Sequence, residues 1–304
     1  MSVWSFDYRP HRRFVATAEH SAQVWRLLLG IVLAAAIFLA LSRMLISTVF
    51  TVLEPGARST LIADGSSGQT AGGMLLMLFQ LGLLAVTAAI VVIMVHKRRP
   101  LTLIGPLGLA ARQFMAVLAI LAILIVVLTI LPPYGYGDDG GALERNMGLG
   151  RWLLLLPFAL IAVLVQTGAE EIFFRGYIQQ QLAARFRSPM IWMLLPAFLF
   201  GIGHYLPESA GSNAVTIAVW ATVFGLLMAD LTARSGTLGP AMAVHFVNNI
   251  SAMVLTSTPD EMSGLALYVL PFGIGDEAAM AAWLPVDFGF MLVMWLAARL
   301  AIRA

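Results

Sequence analysis

The stretch WLLLLPFALIAVLVQTGAEEIFFRGYIQQQL, residues 152–182, decides how this chain is read. Its first half is an almost unbroken apolar run, and a helix needs only about 20 such residues to cross a bilayer. Its second half places Glu170, Glu171 and Arg175 inside the same segment. Ionisable side chains within a span are expensive to bury, so their presence is a functional hypothesis by default.

The rest of the chain has the same character. Of 304 residues, 60% are hydrophobic and 11% charged, with a mean hydropathy of +0.88. A soluble domain carries roughly 25% charged residues, so composition alone predicts an all-α polytopic membrane protein whose environment is the lipid bilayer. Cysteine is absent, which excludes disulfides, thiolate metal sites and a cysteine nucleophile. The net charge of +2 is small, and the basic residues are scattered between apolar runs, which is not the footprint of a nucleic-acid-binding protein.

About eight transmembrane helices are predicted, at 24–52, 72–95, 112–131, 152–182, 190–206, 214–232, 239–256 and 284–302. Loops rich in Gly, Pro, Ser and Asp punctuate them, such as Glu54-Pro55-Gly56 and Pro132-Pro133 through Gly141. The polar N-terminal segment 1–23 precedes a span that exceeds a signal-peptide core and lacks a small-residue cleavage site, so it is expected to be retained. Four regions follow: 1–23 as a cytoplasmic segment, 24–150 as three accessory helices, 151–256 as the core, and 257–304 as an outside loop and last helix.

With the N-terminus inside, alternation puts Arg9, Arg12, Arg13, Lys97, Arg98, Arg99, Arg112, Arg185, Arg187, Arg234 and Arg303 on the cytoplasmic side. Only Arg58, Arg145 and Arg151 fall outside. The positive-inside rule thus predicts both termini in the cytoplasm. The excess of Arg over Lys points to a bacterial chain, hence the inner membrane. Asp230 reads as interfacial, and Trp25, Trp152, Trp192 and Trp283 as a belt at the headgroups.

Three polar clusters fall within predicted spans: Glu170-Glu171 through Tyr177, Phe200 through His204, and His245 through Asn249. Glu171 and Arg175 are four apart on one helical face and can pair. Glu170 is turned about 100° from Glu171 and can face another neighbour. His245 and Asn249 again share a face, while Gly201 and Gly203 allow close helix approach near His204. A carboxyl in an apolar span, tuned by desolvation and a nearby imidazole, suits a general base acting on water. A lone Glu–Arg pair, histidine or asparagine in a span is usually structural glue. Three spans each contributing such groups point instead to a joint site.

These clusters resemble the three motifs of the CPBP family, the CAAX proteases and bacteriocin-processing enzymes: Glu-Glu-x-x-x-Arg, then Phe-x-x-x-His, then His-x-x-x-Asn. All three occur in order over roughly residues 150–256, on spans four to seven, with Arg175-Gly176-Tyr177 and Ser235-Gly236 through Pro240 also in agreement. The resemblance implies an intramembrane endopeptidase of glutamate or metallo type, acting on a membrane-associated protein or peptide. Eukaryotic members trim prenylated tails, whereas bacterial members process or resist peptides. By this resemblance Glu170 and His204 activate the water, His245 and Asn249 stabilise the oxyanion, and Glu171 with Arg175 supports Glu170. A divalent metal such as zinc on Glu170, His204 and His245 is one form of that chemistry. A metal-free oxyanion mechanism is the other.

Other protease signatures are weaker. Gly65-Ser66-Ser67-Gly68 fits the Gly-x-Ser-Gly of rhomboid proteases but lies in a polar loop. Gly135-Tyr136-Gly137-Asp138 and Gly273-Ile274-Gly275-Asp276 fit the Gly-x-Gly-Asp of presenilin-like proteases, again in loops and without a second intramembrane Asp. His-Glu-x-x-His is absent. A proton-coupled transporter would use the same titratable groups, but no paired halves are visible. A non-catalytic scaffold would not need all the motif residues intact.

Overall fold

Apolar segments in lipid must satisfy their backbone groups internally, and here they do so as helices. The computed structural model describes residues 8–64, 67–130 and 142–303. A short α1 (Arg9–Val15) leads to α2 (Val24–Val52), α3 (Pro55–Asp64), α4 (Ala71–Met94) and α5 (Leu107–Ile130). The next helix, α6 (Leu149–Glu171), runs without a break through a π-helical segment, Ile172–Gln179, into α7 (Gln180–Arg185). A π turn at Met190–Leu194 opens α8 (Leu195–Ile202), followed by α9 (Pro207–Ala210) and α10 (Ala214–Ser235). Then come α11 (Gly239–Ile250), extended by a π turn at Ser251–Leu255, and α12 (Glu277–Ala301). Thr70 caps α4 and Asp276 caps α12, each side chain accepting a backbone N–H of the first turn.

All eight expected segments are helical, but they are unequal. Among the described residues, six helices are long and apolar enough to cross a membrane. The segments expected at 190–206 and 239–256 are shorter. Met190–Ile202 rises about 20 Å and Gly239–Leu255 about 25 Å at 1.5 Å per residue, against a hydrocarbon core of about 30 Å. These two carry His204 at the end of one and His245 within the other.

The two ends of the bundle differ in charge. At one end Asp230 is a buried hub, not an interfacial residue. Its carboxylate accepts from Tyr8 Oη at 2.8 Å, from Arg234 Nε at 2.8 Å and from Trp295 Nε1 at 3.1 Å. Nearby, Arg98 donates to Gln180, and Gln180 Nε2 donates to the Phe14 carbonyl at 2.7 Å, which seals the N-terminal segment onto the bundle. Trp192, expected at the headgroups, is instead buried against Tyr8 and His11. Gly176 is required at this level, because a Cβ there would lie 2.6 Å from the Leu103 carbonyl oxygen. The basic residues of 9–13, 97–99, 185–187 and 234 gather at this end.

At the other end sit Glu144, Asp260, Glu261, Asp276 and Glu277. The loops there form a small sheet that the sequence did not signal, because each strand is two residues long: β1 (Glu144–Arg145), β2 (Thr256–Ser257) and β3 (Tyr268–Val269). β3 is central, antiparallel to β1 and parallel to β2. Asp260 accepts from Ile274 N at 2.9 Å, so the Gly273–Asp276 match is a turn leading into the α12 cap. The Gly65–Gly68 match lies partly, and the Gly135–Asp138 match wholly, outside the described residues.

Candidate active site

The α6 rod carries Glu170 and Glu171 about 15 Å, ten residues, above Gln180 and the basic end. Both carboxylates are buried, Glu171 completely. Arg175, one turn later, is 1% exposed and donates from Nη1 to Glu171 Oε1 at 3.1 Å and from Nη2 to the Gly225 carbonyl at 3.3 Å. Burying a guanidinium is tolerable only with such partners. The expected Glu171–Arg175 pair is therefore present.

His245 enters from α11. Its Nδ1 lies 2.9 Å from Glu171 Oε1, and its Nε2 lies 3.6 Å from Glu170 Oε2. A carboxylate paired to arginine only accepts, so Nδ1 carries a proton and donates to Glu171. Glu171 thereby orients the ring and turns Nε2 towards Glu170. Glu170 Oε2 has no hydrogen-bond partner among the described residues, although it is buried.

Aromatic rings wall this cluster. Phe200 and Phe224 meet the His245 ring edge-on at 5.9 and 5.0 Å, and the Arg175 guanidinium lies 4.9 Å from the Phe200 centroid. An apolar wall lowers the local dielectric and strengthens each charge interaction inside it.

His204 is half-buried and joins the group through Phe200. Its ring lies tilted against the Phe200 ring, centroids 4.5 Å apart, and its Nδ1 lies 2.9 Å from the Phe200 carbonyl oxygen. A carbonyl accepts, so Nδ1–H donates and Nε2 keeps a lone pair in the neutral ring. Gly201 does allow close approach, to α10: a Cβ there would clash with Thr222 Oγ1 and lie 2.6 Å from the Ala218 carbonyl.

Asn249 shares the face of His245, as expected, but its amide is held by a residue that sequence reasoning passed over. Asn249 Nδ2 donates to Gln166 Oε1 at 2.9 Å, and Asn249 Oδ1 accepts from Asn248 at 3.1 Å. Gln166 is 4% exposed. Its signal was its place one turn before Glu170, on the same face of an otherwise apolar run. The structure thus gathers Glu170, Glu171, Arg175 and His245 into one network. It places Asn249 and Gln166 one turn away and brings His204 to the rim through Phe200.

Among the described residues, no three His, Asp or Glu side chains are arranged to hold a metal ion.

Residues 152–251 match the family model of type II CAAX prenyl endopeptidase Rce1-like proteins. That is a third of the chain, and it contains every site residue named above, so the resemblance carried by the three motifs holds for this segment. The chain is also 28% identical over 120 residues to the uncharacterized protein YyaK of Bacillus subtilis (strain 168), covering 40% of this chain and 40% of that protein. The aligned part is thus less than half of the relative's length. No solved structure matches the chain.

Proposed function

We propose that the chain is an intramembrane endopeptidase that hydrolyses a peptide bond of a membrane-associated protein or peptide. Glu170 is its general base. The observation that carries this reading is the arrangement around His245. Glu171 holds Nδ1, Nε2 faces Glu170, and Glu170 keeps a buried oxygen without a hydrogen bond.

In this reading a water bound between the Glu170 carboxylate and the Nε2 lone pair of His204 attacks the scissile carbonyl. Glu170 takes the proton as the oxygen–carbon bond forms. In this step the His245 ring carries a proton on each nitrogen, and the oxyanion accepts from Nε2–H and from the second N–H of Asn249. Glu170 then returns its proton to the leaving amine as the carbon–nitrogen bond breaks. The oxyanion donors thus come from residues whose other polar atoms are hydrogen-bonded, as preorganised electrostatic stabilisation requires. Gln166 orients Asn249, and Arg175 holds Glu171.

The same reading places all eight helical segments across the membrane. The segment from Met190 begins beside the basic end, and Asn213, which follows it, donates to the Glu277 carbonyl at 2.7 Å at the acidic end. The segment after Leu238, whose N–H bonds Ile104 at the basic end, leads to Thr256 in the sheet at the acidic end. The basic end then faces the cytoplasm, in a bacterial inner membrane, with both termini inside. The test is substrate trapping. Glu170→Gln protein in native membranes, crosslinked and compared with wild type, is expected to accumulate partners that the wild type cleaves in vitro. A Glu170→Gln protein that cleaves such a partner at the wild-type rate would remove Glu170 as base.

A further inference from the structure

At the basic end, away from the carboxylate cluster, a cleft of about 610 Å³ opens between α1 and the turn that joins α7 to the His204 helix. Tyr8 and Trp192 form part of its wall, and Arg9, Arg12, Arg187 and Glu19 lie around it. The wall is tied together: the His11 ring lies tilted 4.5 Å from Trp192, Tyr8 meets Trp192 edge-on at 5.7 Å, and Tyr8 Oη donates to Asp230. His11 Nε2 lies 3.4 Å from Gln179 Nε2, which ties the floor to the end of the catalytic rod.

Two features of this cleft point to an anionic ligand. Arg12 and Arg187 come from segments far apart in sequence, yet the fold sets both exposed guanidiniums around one cavity, a placement that like-charge repulsion opposes. Arg12 and Arg187 against Glu19 leave the described lining net positive without counting Arg9. Burial holds His11 down at about 4, so it adds no charge near neutrality and the positive field belongs to the guanidiniums. Guanidinium is also the donor whose planar fork matches phosphate oxygens. Half-buried Tyr8, backed by the buried Trp192, gives the cleft an aromatic face at the end of the bundle. The cleft lies at the end of the bundle where the helices emerge, and basic pockets at such ends take anionic headgroups.

We infer that this cleft binds the phosphate of an anionic phospholipid headgroup, with Arg12 and Arg187 as the donors and Tyr8 and Trp192 packing against the glycerol region. Free phosphate has the same chemistry, and the aromatic wall favours the lipid.

The test uses the full chain purified in mild detergent. Retained phosphatidylglycerol and phosphatidylcholine are counted by native mass spectrometry after titration with each lipid, for wild type, Arg12→Gln/Arg187→Gln, and a control Lys97→Gln/Arg99→Gln. The control removes the same charge from exposed positions outside the cleft. Wild type is expected to retain phosphatidylglycerol over phosphatidylcholine, and the cleft variant to lose about tenfold or more of that affinity while the control keeps it, given roughly 1 kcal/mol per basic residue at an anionic surface. Binding is expected to stay flat between about pH 5 and pH 8, since arginine does not titrate there. Equal retention of the two lipids, or an equal loss in the control, would overturn the site. Displacement of the lipid by inorganic phosphate at equal concentration would overturn the lipid assignment in favour of a free-phosphate site.

Discussion

Glu171 Oε1 is shared by two cationic or proton-bearing partners: Arg175 Nη1 at 3.1 Å and His245 Nδ1 at 2.9 Å. One carboxylate oxygen thus joins α6, which carries both glutamates, to α11, which carries His245.

Removing that carboxylate leaves Arg175 buried without its acid. Glu171→Gln is expected to destabilise the protein by about 3–5 kcal/mol, the usual cost of breaking a buried pair from one side. It should abolish cleavage as well. Glu171→Gln/Arg175→Met is expected to recover much of the lost thermal stability in detergent and none of the activity. A double variant as unstable as the single one would show that the network is not the cause.

Glu170 behaves oppositely. Its buried oxygen makes no hydrogen bond, so Glu170→Gln is expected to leave thermal stability unchanged or raised, while activity falls by about 10²–10⁴, the range for a lost general base. A matched fall in melting temperature would recast Glu170 as structural.

The Gln166–Asn249 pair allows a graded comparison. Asn249→Leu removes the proposed oxyanion donor and is expected to cost about 10²–10³ in kcat. Gln166→Leu leaves that donor in place but frees it, so a smaller fall in kcat with little change in KM is expected. Steady-state cleavage by both variants reads this directly, and a larger loss at Gln166 would reverse the roles.

Gly201→Val tests how the His204 helix is seated. Its side chain would run into Thr222 and the Ala218 carbonyl on α10, so the helix must move away from α10. The expected result is a folded but inactive protein, checked by size-exclusion profile and cleavage together. Gly203→Val, with only its own helix's carbonyls within 4 Å, should be far milder.

Acid stability should depend on two histidines outside the spans. Burial holds His11 and His96 at about 4 in the folded chain, below the ordinary value of 6.5. The unfolded chain therefore binds more protons between those values. Their contribution to stability is complete above about pH 6.5 and is lost as pH falls towards 4. Thermal melts from pH 7.5 to 4.5 should show this decline, and His11→Phe/His96→Gln should flatten it.

The helices were legible because lipid enforces one solution on long apolar runs, and Glu171–Arg175 and His245–Asn249 followed from spacing within one helix. What crosses between helices was not legible. Spacing cannot show that His245 faces both glutamates, or that Asn249 leans on Gln166 83 residues earlier. The family pattern marked Phe200 only as a motif letter, whereas in space it touches Arg175, His204 and His245. Asp230 and Trp192 were misread for a related reason. A residue near the end of a span looks interfacial until the N-terminal segment, polar in sequence, is seen folded over it.

The π-helical segment Ile172–Gln179 separates two halves of one continuous rod. A π turn holds an extra residue relative to an α-helix, and each residue turns a helix by about 100°. The upstream half aims Glu170 and Glu171 at α11, while the downstream half aims Gln179, Gln180 and Gln181 at the N-terminal segment and the α4–α5 turn. The segment therefore acts as a phase adjuster. Deleting one residue from 172–174 would keep a helix there, yet rotate the anchoring half out of step with the half that carries the carboxylates.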